Sequence, residues 1–212
     1  MRAATVEWES RRALTGAARA AAQLMDITTR LARRGTTVPG LLVGDAPVTH
    51  WTHYPAADAV DEAHRYRYYY HTHPRCPRGE HGHFHLFRHT GPERAATHLL
   101  GIAVNPVGLP LRLFTTNRWV TDERLQSAPV VLGHLQRFRM ERPRRLLPVH
   151  RWLRALVTLF APTIARVVHA RDARIARARP GFLEDRRTEV LSDARISLEQ
   201  QVRRIERLLQ QP

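Results

Sequence analysis

The residues from Tyr68 to His89, YYYHTHPRCPRGEHGHFHLFRH, constrain the fold more than any other part of the chain. They include two clusters in which histidine recurs at every second position, and a loop that contains Pro, Arg and Gly separates the clusters. Side chains on a β-strand alternate between the two faces of the sheet. The spacing therefore predicts two strands that each present their histidines on one side.

The two predicted strands are expected to pair antiparallel, with residues 74–80 as their connection. One register places His73 opposite His83, and the same register places His71 opposite His85. All four imidazoles then share one face of the sheet, with cross-strand Cβ atoms about 4.5–5.5 Å apart. A slip of one residue would move one histidine pair into the core. The opposite face would be apolar and ready to be covered by helices, since it would carry Tyr68, Tyr70, Phe84 and Leu86.

This arrangement predicts a site for one divalent metal ion, Zn or Fe, with the ligands His71, His73, His83 and His85. His53, in a short strand predicted at 49–54, is a further candidate ligand, and His50 on the other face of that strand is the alternative. Glu80 in the connecting loop is the candidate catalytic residue, as ligand or general base. Three ligands leave a position for water, whose pKa falls to about 7 on zinc. Hydrolase and oxygenase chemistry both fit these residue types, and so do histidines that only form hydrogen bonds.

Composition limits the alternatives. A single cysteine excludes a disulfide framework and a cysteine zinc finger. The net charge is +15, and all 34 basic residues are Arg. Positive charge favours acidic ligands, so we expect a small anionic substrate near Arg75, Arg78 and Arg118. The alternative function is a non-catalytic, metal-stabilised module whose Arg-rich helices bind an acidic partner, nucleic acid or an anionic membrane.

Two features predict a cytoplasmic protein. The first residues, MRAATVEWESRRAL, include acids and no apolar signal core. The longest apolar run, from Ala155 to Ala165, is shorter than the roughly 20 residues that a membrane-spanning helix needs.

The remaining pattern predicts an α+β fold. Apolar residues recur at helical spacing over residues 5–34, and buried strands are expected at 98–104 and 109–116. Together with the strands near the histidines, these give a small, mostly antiparallel sheet of about five strands, packed by an N-terminal helix and long C-terminal helices. We predict an α+β domain with the histidine-rich sheet at 1–142. An Arg-rich helical extension at 143–212 is expected to pack on it.

Two C-terminal helices are expected. The first covers residues 148–177 and is kinked by Pro162. The second follows Pro180-Gly181 and has near-heptad apolar spacing, which predicts packing on the first helix or an oligomer contact. Its apolar positions are Leu191, Ala194, Leu198, Val202, Ile205 and Leu209.

Two resemblances accompany these patterns. Residues 69–74, YYHTHP, resemble the strand-end His–Ser/Thr–His–Pro motif of the JAMM-type zinc isopeptidases. In that family the two histidines bind zinc, a downstream Ser-x-x-Asp adds the third ligand, and an upstream Glu is the base. Here Gly-His-Phe-His occupies that position, so the resemblance implies His85 in place of the aspartate and Glu62 or Glu80 as the base. Residues 49–125 resemble a bacterial family of unknown function, which implies no activity.

Overall fold

Six strands form one antiparallel sheet in the computed structural model, which describes residues 8, 10–77, 79–89 and 96–211. Each strand pairs with its neighbours in sequence, so the sheet order is β1 to β6. The α+β class is confirmed, with six strands in place of about five. The strands are β1 (Tyr54–Asp61), β2 (Tyr66–His71), β3 (Gly82–His89), β4 (Ala96–Val104), β5 (Pro110–Thr116) and β6 (Val190–Arg195).

Seven α-helices lie within the described residues: α1 (Arg11–Ala32), α2 (Gly40–Val43), α3 (Arg118–Thr121), α4 (Ala128–Gln136), α5 (Leu147–Leu159), α6 (Ala161–Ala176) and α7 (Leu198–Leu209). The first of them is shorter than predicted. Its N-cap is Ser10, whose hydroxyl accepts a hydrogen bond from the backbone N–H of Ala13 at 3.2 Å. Residues 5–7 and 9 of the predicted helix lie outside the described part of the chain.

The main apolar core lies between the helices and one face of the sheet. α1 and α5 contact each other within it, and Leu24 and Trp152 are fully buried there. The other face carries the histidines and a small buried cluster of Tyr69, Phe87 and Ala96. The predicted apolar face is confirmed, because all four of its residues are buried in the main core: Tyr68, Tyr70, Phe84 and Leu86.

The pairing of β2 with β3 differs from the predicted register by two residues. His71 pairs with His83, and Tyr69 pairs with His85. His73 lies beyond the end of β2 instead of opposite His83. A shift of two residues is one full period of a strand, so every side chain keeps its predicted face.

The pairing of β4 with β3 is irregular at one position, where β4 contains an extra residue. Leu86 pairs with Leu100, whereas the next residue, Phe87, pairs with His98. Leu99 is therefore the extra residue of a β-bulge. Regular alternation would place His98 on the same face as Leu100, within the core. The bulge moves His98 to the histidine face.

The prediction for the first strand was wrong in its position. β1 begins at Tyr54 and continues through Pro55 to Asp61, whereas the sequence suggested a strand at 49–54. Pro55 is tolerated because β1 is an edge strand of the sheet.

Of two predictions for the C-terminal region, one is confirmed and the other is wrong. α5 and α6 are bent by 77°, with Pro162 in the first turn of α6, so the predicted kink is confirmed. The predicted last helix is wrong at its start, because residues 190–195 form β6 against β5. α7 begins after Ser197 and contacts α1. The division at residue 142 stays a prediction, as does an oligomer contact through α7.

Among the described residues, no single helix has the length and apolar character to cross a bilayer. α5 and α6 reach that length only as a pair, with the bend between them.

Candidate metal centre

Three histidine rings converge above the sheet, and we call them the triad: His71, His73 and His83. The Nε2 atom of His83 lies 2.8 Å from Nε2 of His71 and 3.2 Å from Nε2 of His73. The candidate ligand atoms of the triad all lie within 4.8 Å of one another. Tetrahedral ligands at 2.0–2.1 Å from zinc are about 3.3 Å apart. The triad therefore has the spacing to hold a metal ion.

Burial keeps the triad neutral. It lowers the pKa of His71 to about 3 and that of His83 well below its ordinary value, and the neighbouring imidazoles act in the same direction. The pKa of His73 is also lowered, again by burial first. A neutral imidazole has one N–H and one lone pair, and metal ions bind the lone pair. The rings can thus offer three lone pairs without first losing protons.

His85 leads from the triad to a buried polar row that the sequence analysis missed. Its Nδ1 lies 3.0 Å from Nε2 of His98, and Nδ1 of His98 lies 3.1 Å from the hydroxyl of Thr116. The backbone N–H of His98 donates to Glu123 at 3.0 Å. Burial lowers the pKa of His98 to about 3 and raises that of Glu123 to about 7. The signal in the sequence that could have indicated this row is His98, a single histidine within an apolar strand.

His53 lies beside the triad without joining it. Its ring stacks on Tyr69 with the ring centroids 3.6 Å apart, and its Nδ1 lies 3.0 Å from a carboxylate oxygen of Asp58. The centroids of His53 and His71 are 5.9 Å apart. His50, the alternative, has its Nδ1 2.9 Å from the hydroxyl of Thr72. The two histidines thus have partners of their own.

Glu80 is engaged by an arginine. One carboxylate oxygen accepts a hydrogen bond from Nε of Arg112 at 2.7 Å, and the other accepts from Nη2 at 3.2 Å. The Glu80 side chain is only 4% exposed. The guanidinium group of Arg112 also lies over the ring of Phe114, 4.8 Å from its centroid. Glu80 thereby fixes Arg112 close to the triad.

The triad forms part of the wall of a cleft of about 530 Å³. Trp51 stands at the cleft with 65% of its surface exposed, and its ring meets that of His73 edge to face at 4.1 Å. Its backbone is in the left-handed region, with φ 66°, which is uncommon for a large residue. Of the arginines expected near a substrate, Arg75 lines the cleft and Arg118 forms an ion pair with Glu184. Arg78 lies outside the described residues.

Phe114 orients the central ring of the triad. It meets His83 and His85 edge to face, with centroids 5.2 and 5.7 Å apart. The Nδ1 atom of His83 is buried and has no hydrogen-bond partner among the described residues. On the Nδ1 side, ring packing is therefore the contact that orients His83, while Nε2 contacts His71 and His73. Gly101 makes room for the phenyl ring, because a Cβ at this position would lie within 2.6 Å of three of its carbons.

Residues 18–196 match the family model of a domain of unknown function, DUF6969. The match covers most of the chain, so the protein belongs to this family, and the expectation of a family of unknown function is confirmed. Nothing among the curated proteins or the solved structures matches the chain. The function of this family is unknown, so family membership indicates no activity for the site.

Proposed function

We propose that this protein is a zinc-dependent hydrolase whose metal is bound by His71, His73 and His83. The observation that carries the proposal is the convergence of three neutral ring nitrogens at the wall of a cleft. Catalytic zinc sites commonly have three protein ligands and a fourth position for water. The triad provides three ligands, and the cleft provides the space for a fourth.

The donor set favours zinc over iron. The facial triad of non-haem iron oxygenases consists of two histidines and one carboxylate. Two carboxylates line the cleft, Glu80 and Glu189, and neither belongs to the group of converging ligand atoms. Glu80 has both oxygens hydrogen-bonded to Arg112. Three imidazoles with no carboxylate among the converging ligand atoms therefore support a zinc ion and hydrolytic chemistry.

Each remaining group has a proposed role in this site. A zinc-bound water has a pKa near 7 and supplies the nucleophile at neutral pH. Arg75 and Arg112 line the same cleft and would attract an anionic substrate. Glu80 acts in this proposal as a positioning residue, because it holds the Arg112 guanidinium. His85 does not bind the ion in this proposal. It is held by its contact with His98, and its ring packs against the triad.

Elemental analysis of untagged protein tests the metal site. Purified protein is expected to contain about one zinc per chain, and His71→Ala and His83→Ala should each lose it. His169→Ala is the matched control, since this histidine is exposed on α6. Unchanged zinc in both triad variants would remove the basis of the proposal.

Spectroscopy and activity separate a catalytic site from a structural one. X-ray absorption should fit three imidazole nitrogens and one oxygen from water. A closed site with four imidazole nitrogens would instead support the non-catalytic module. Hydrolysis of a panel of anionic esters should disappear in the His83→Ala protein and after chelation, and should return when zinc is added to the chelated wild type.

A further inference from the structure

A second concave site lies on the helical side of the sheet. It is a cavity of about 390 Å³ between the chain segment that precedes α5 and the first turns of α5. Tyr68 and Tyr69 point to opposite faces of β2, and the cavity is on the Tyr68 side while the triad is on the Tyr69 side. Five arginines line the cavity: Arg139, Arg142, Arg144, Arg151 and Arg154.

The charge of this cavity is largely uncompensated. Its lining includes one acidic residue, Glu141, which forms an ion pair with Arg139. The other four arginines have no carboxylate partner among the described residues. Five positive charges and one negative charge leave a surplus of four around one concavity. Such a cluster raises the local concentration of anions.

A buried histidine provides an independent sign of a ligand. His150 also lines the cavity and is 2% exposed, yet neither of its ring nitrogens has a hydrogen-bond partner among the described residues. Its ring packs edge to face on Tyr68, with centroids 5.7 Å apart. A buried polar group without a partner is unfavourable. An acceptor atom within the cavity would satisfy the imidazole N–H.

The segment that carries the arginines is held in place. The buried carboxylate of Asp61 accepts hydrogen bonds from the backbone N–H groups of Glu141 at 2.6 Å and Arg142 at 3.0 Å. The side chain of His64 contacts the same carboxylate at 3.0 Å. Binding would therefore cost little ordering of the backbone.

We propose that this cavity binds a small compound that carries a phosphate or diphosphate group. Guanidinium groups match phosphate oxygens in geometry and charge, and His150 would donate a further hydrogen bond from the inner side. A nucleic acid or a membrane lying across the exposed arginines would leave His150 without a partner. The concave shape and the buried imidazole thus favour a small ligand. This proposal does not depend on the zinc site.

Calorimetric titration of the full chain with inorganic phosphate and with pyrophosphate, at constant ionic strength, tests the proposal. Saturable binding of one pyrophosphate per cavity is expected. The double variant R151Q/R154Q should weaken it about tenfold or more, because charge-assisted contacts are lost. R12Q/R19Q is the matched control, since it removes two exposed arginines from α1 and changes the net charge equally. Its affinity should stay within about twofold of the wild type.

Three outcomes would overturn the proposal. The first is no saturable binding of either anion at millimolar concentration, and the second is equal weakening in the two double variants. The third is tighter, Arg151-dependent binding of a short oligonucleotide or of phosphatidylserine vesicles. Pyrophosphate also binds zinc, so the titration is repeated with His83→Ala. Retained affinity in that variant assigns the binding to the arginine cavity, and loss of affinity assigns it to the triad.

The proposed role of His150 can be tested separately. Pyrophosphate should shift the imidazole ¹⁵N resonances of His150 in the wild-type protein, and His150→Phe should weaken binding while it preserves the contact with Tyr68. The proposed role of His150 is wrong if its resonances do not move under saturating pyrophosphate.

Discussion

Gly101→Ala tests whether ring packing holds His83 in the triad. The new Cβ would come within 2.6 Å of three ring carbons of Phe114, whereas carbon atoms in contact lie about 3.5–4.0 Å apart. Phe114 is 3% exposed and cannot move outward without leaving its neighbours. The substitution should therefore tilt the ring away from His83 and His85.

The magnitude follows from the contacts that are lost. Two edge-to-face ring contacts at about 0.5–1.5 kcal/mol each amount to about 1–3 kcal/mol. Overpacking of a core costs a similar amount, about 1–3 kcal/mol. Both describe one displacement and are not added together, so we expect the free energy of unfolding to fall by about 2 kcal/mol. If half of this lost free energy is lost from zinc binding, the affinity for zinc falls about fivefold.

Urea denaturation of the metal-free protein and zinc titration against a competing chelator measure the two effects. Gly16→Ala is the control, because a Cβ at this position in α1 meets nothing within 4 Å. That change should stabilise the protein by about 0.5–1 kcal/mol. In a Phe114→Leu background, Gly101→Ala should cost clearly less. Equal costs in the two backgrounds, or unchanged zinc affinity, would refute the role given to Phe114.

Two further predictions concern carboxylates. Burial alone would raise the pKa of Asp61, but hydrogen bonds from the backbone N–H groups of Glu141 and His64 outweigh it and lower the pKa to about 2. Asp61 should thus contribute about 2 kcal/mol of stability that is fully present above pH 4 and is lost as the pH falls through 2. The difference in thermal stability between wild type and Asp61→Asn should shrink over that range, and a constant difference would contradict it. Glu80→Gln should keep full zinc content, because Arg112 engages both carboxylate oxygens, and loss of zinc would identify Glu80 as a ligand.

The alternation of side chains in β2 and β3 could be predicted from the sequence, but the register could not. A period of two fixes which face each histidine occupies, and it is unchanged by a shift of two residues. The strand end decides the register, and no sharp signal in the sequence indicates that β2 ends at His71. His73 is still part of the triad, although it follows the end of β2, because its Nε2 atom contacts Nε2 of His83.

β6 could not be predicted from local spacing. Leu191 and Ala194 continue the three- and four-residue spacing that leads into Leu198, so they fit a helix as well as a strand. The interaction that decides between them is distant in sequence, since Ser192 contacts Thr115 through its hydroxyl at 2.6 Å on the neighbouring strand. A local pattern contains no information about this pairing.

The extra leucine in β4 has a consequence for comparing members of this family. Before Leu99 the even-numbered positions face the triad, as His98 does, and after it the odd-numbered positions do, as Gly101 does. A relative that lacks this one residue would have an unbroken ladder and would still hold its histidine against the counterpart of His85. A single gap at that point in an alignment therefore indicates a straightened strand, while a single gap between the positions of His83 and His85 would turn one of these two histidines to the opposite face of the sheet.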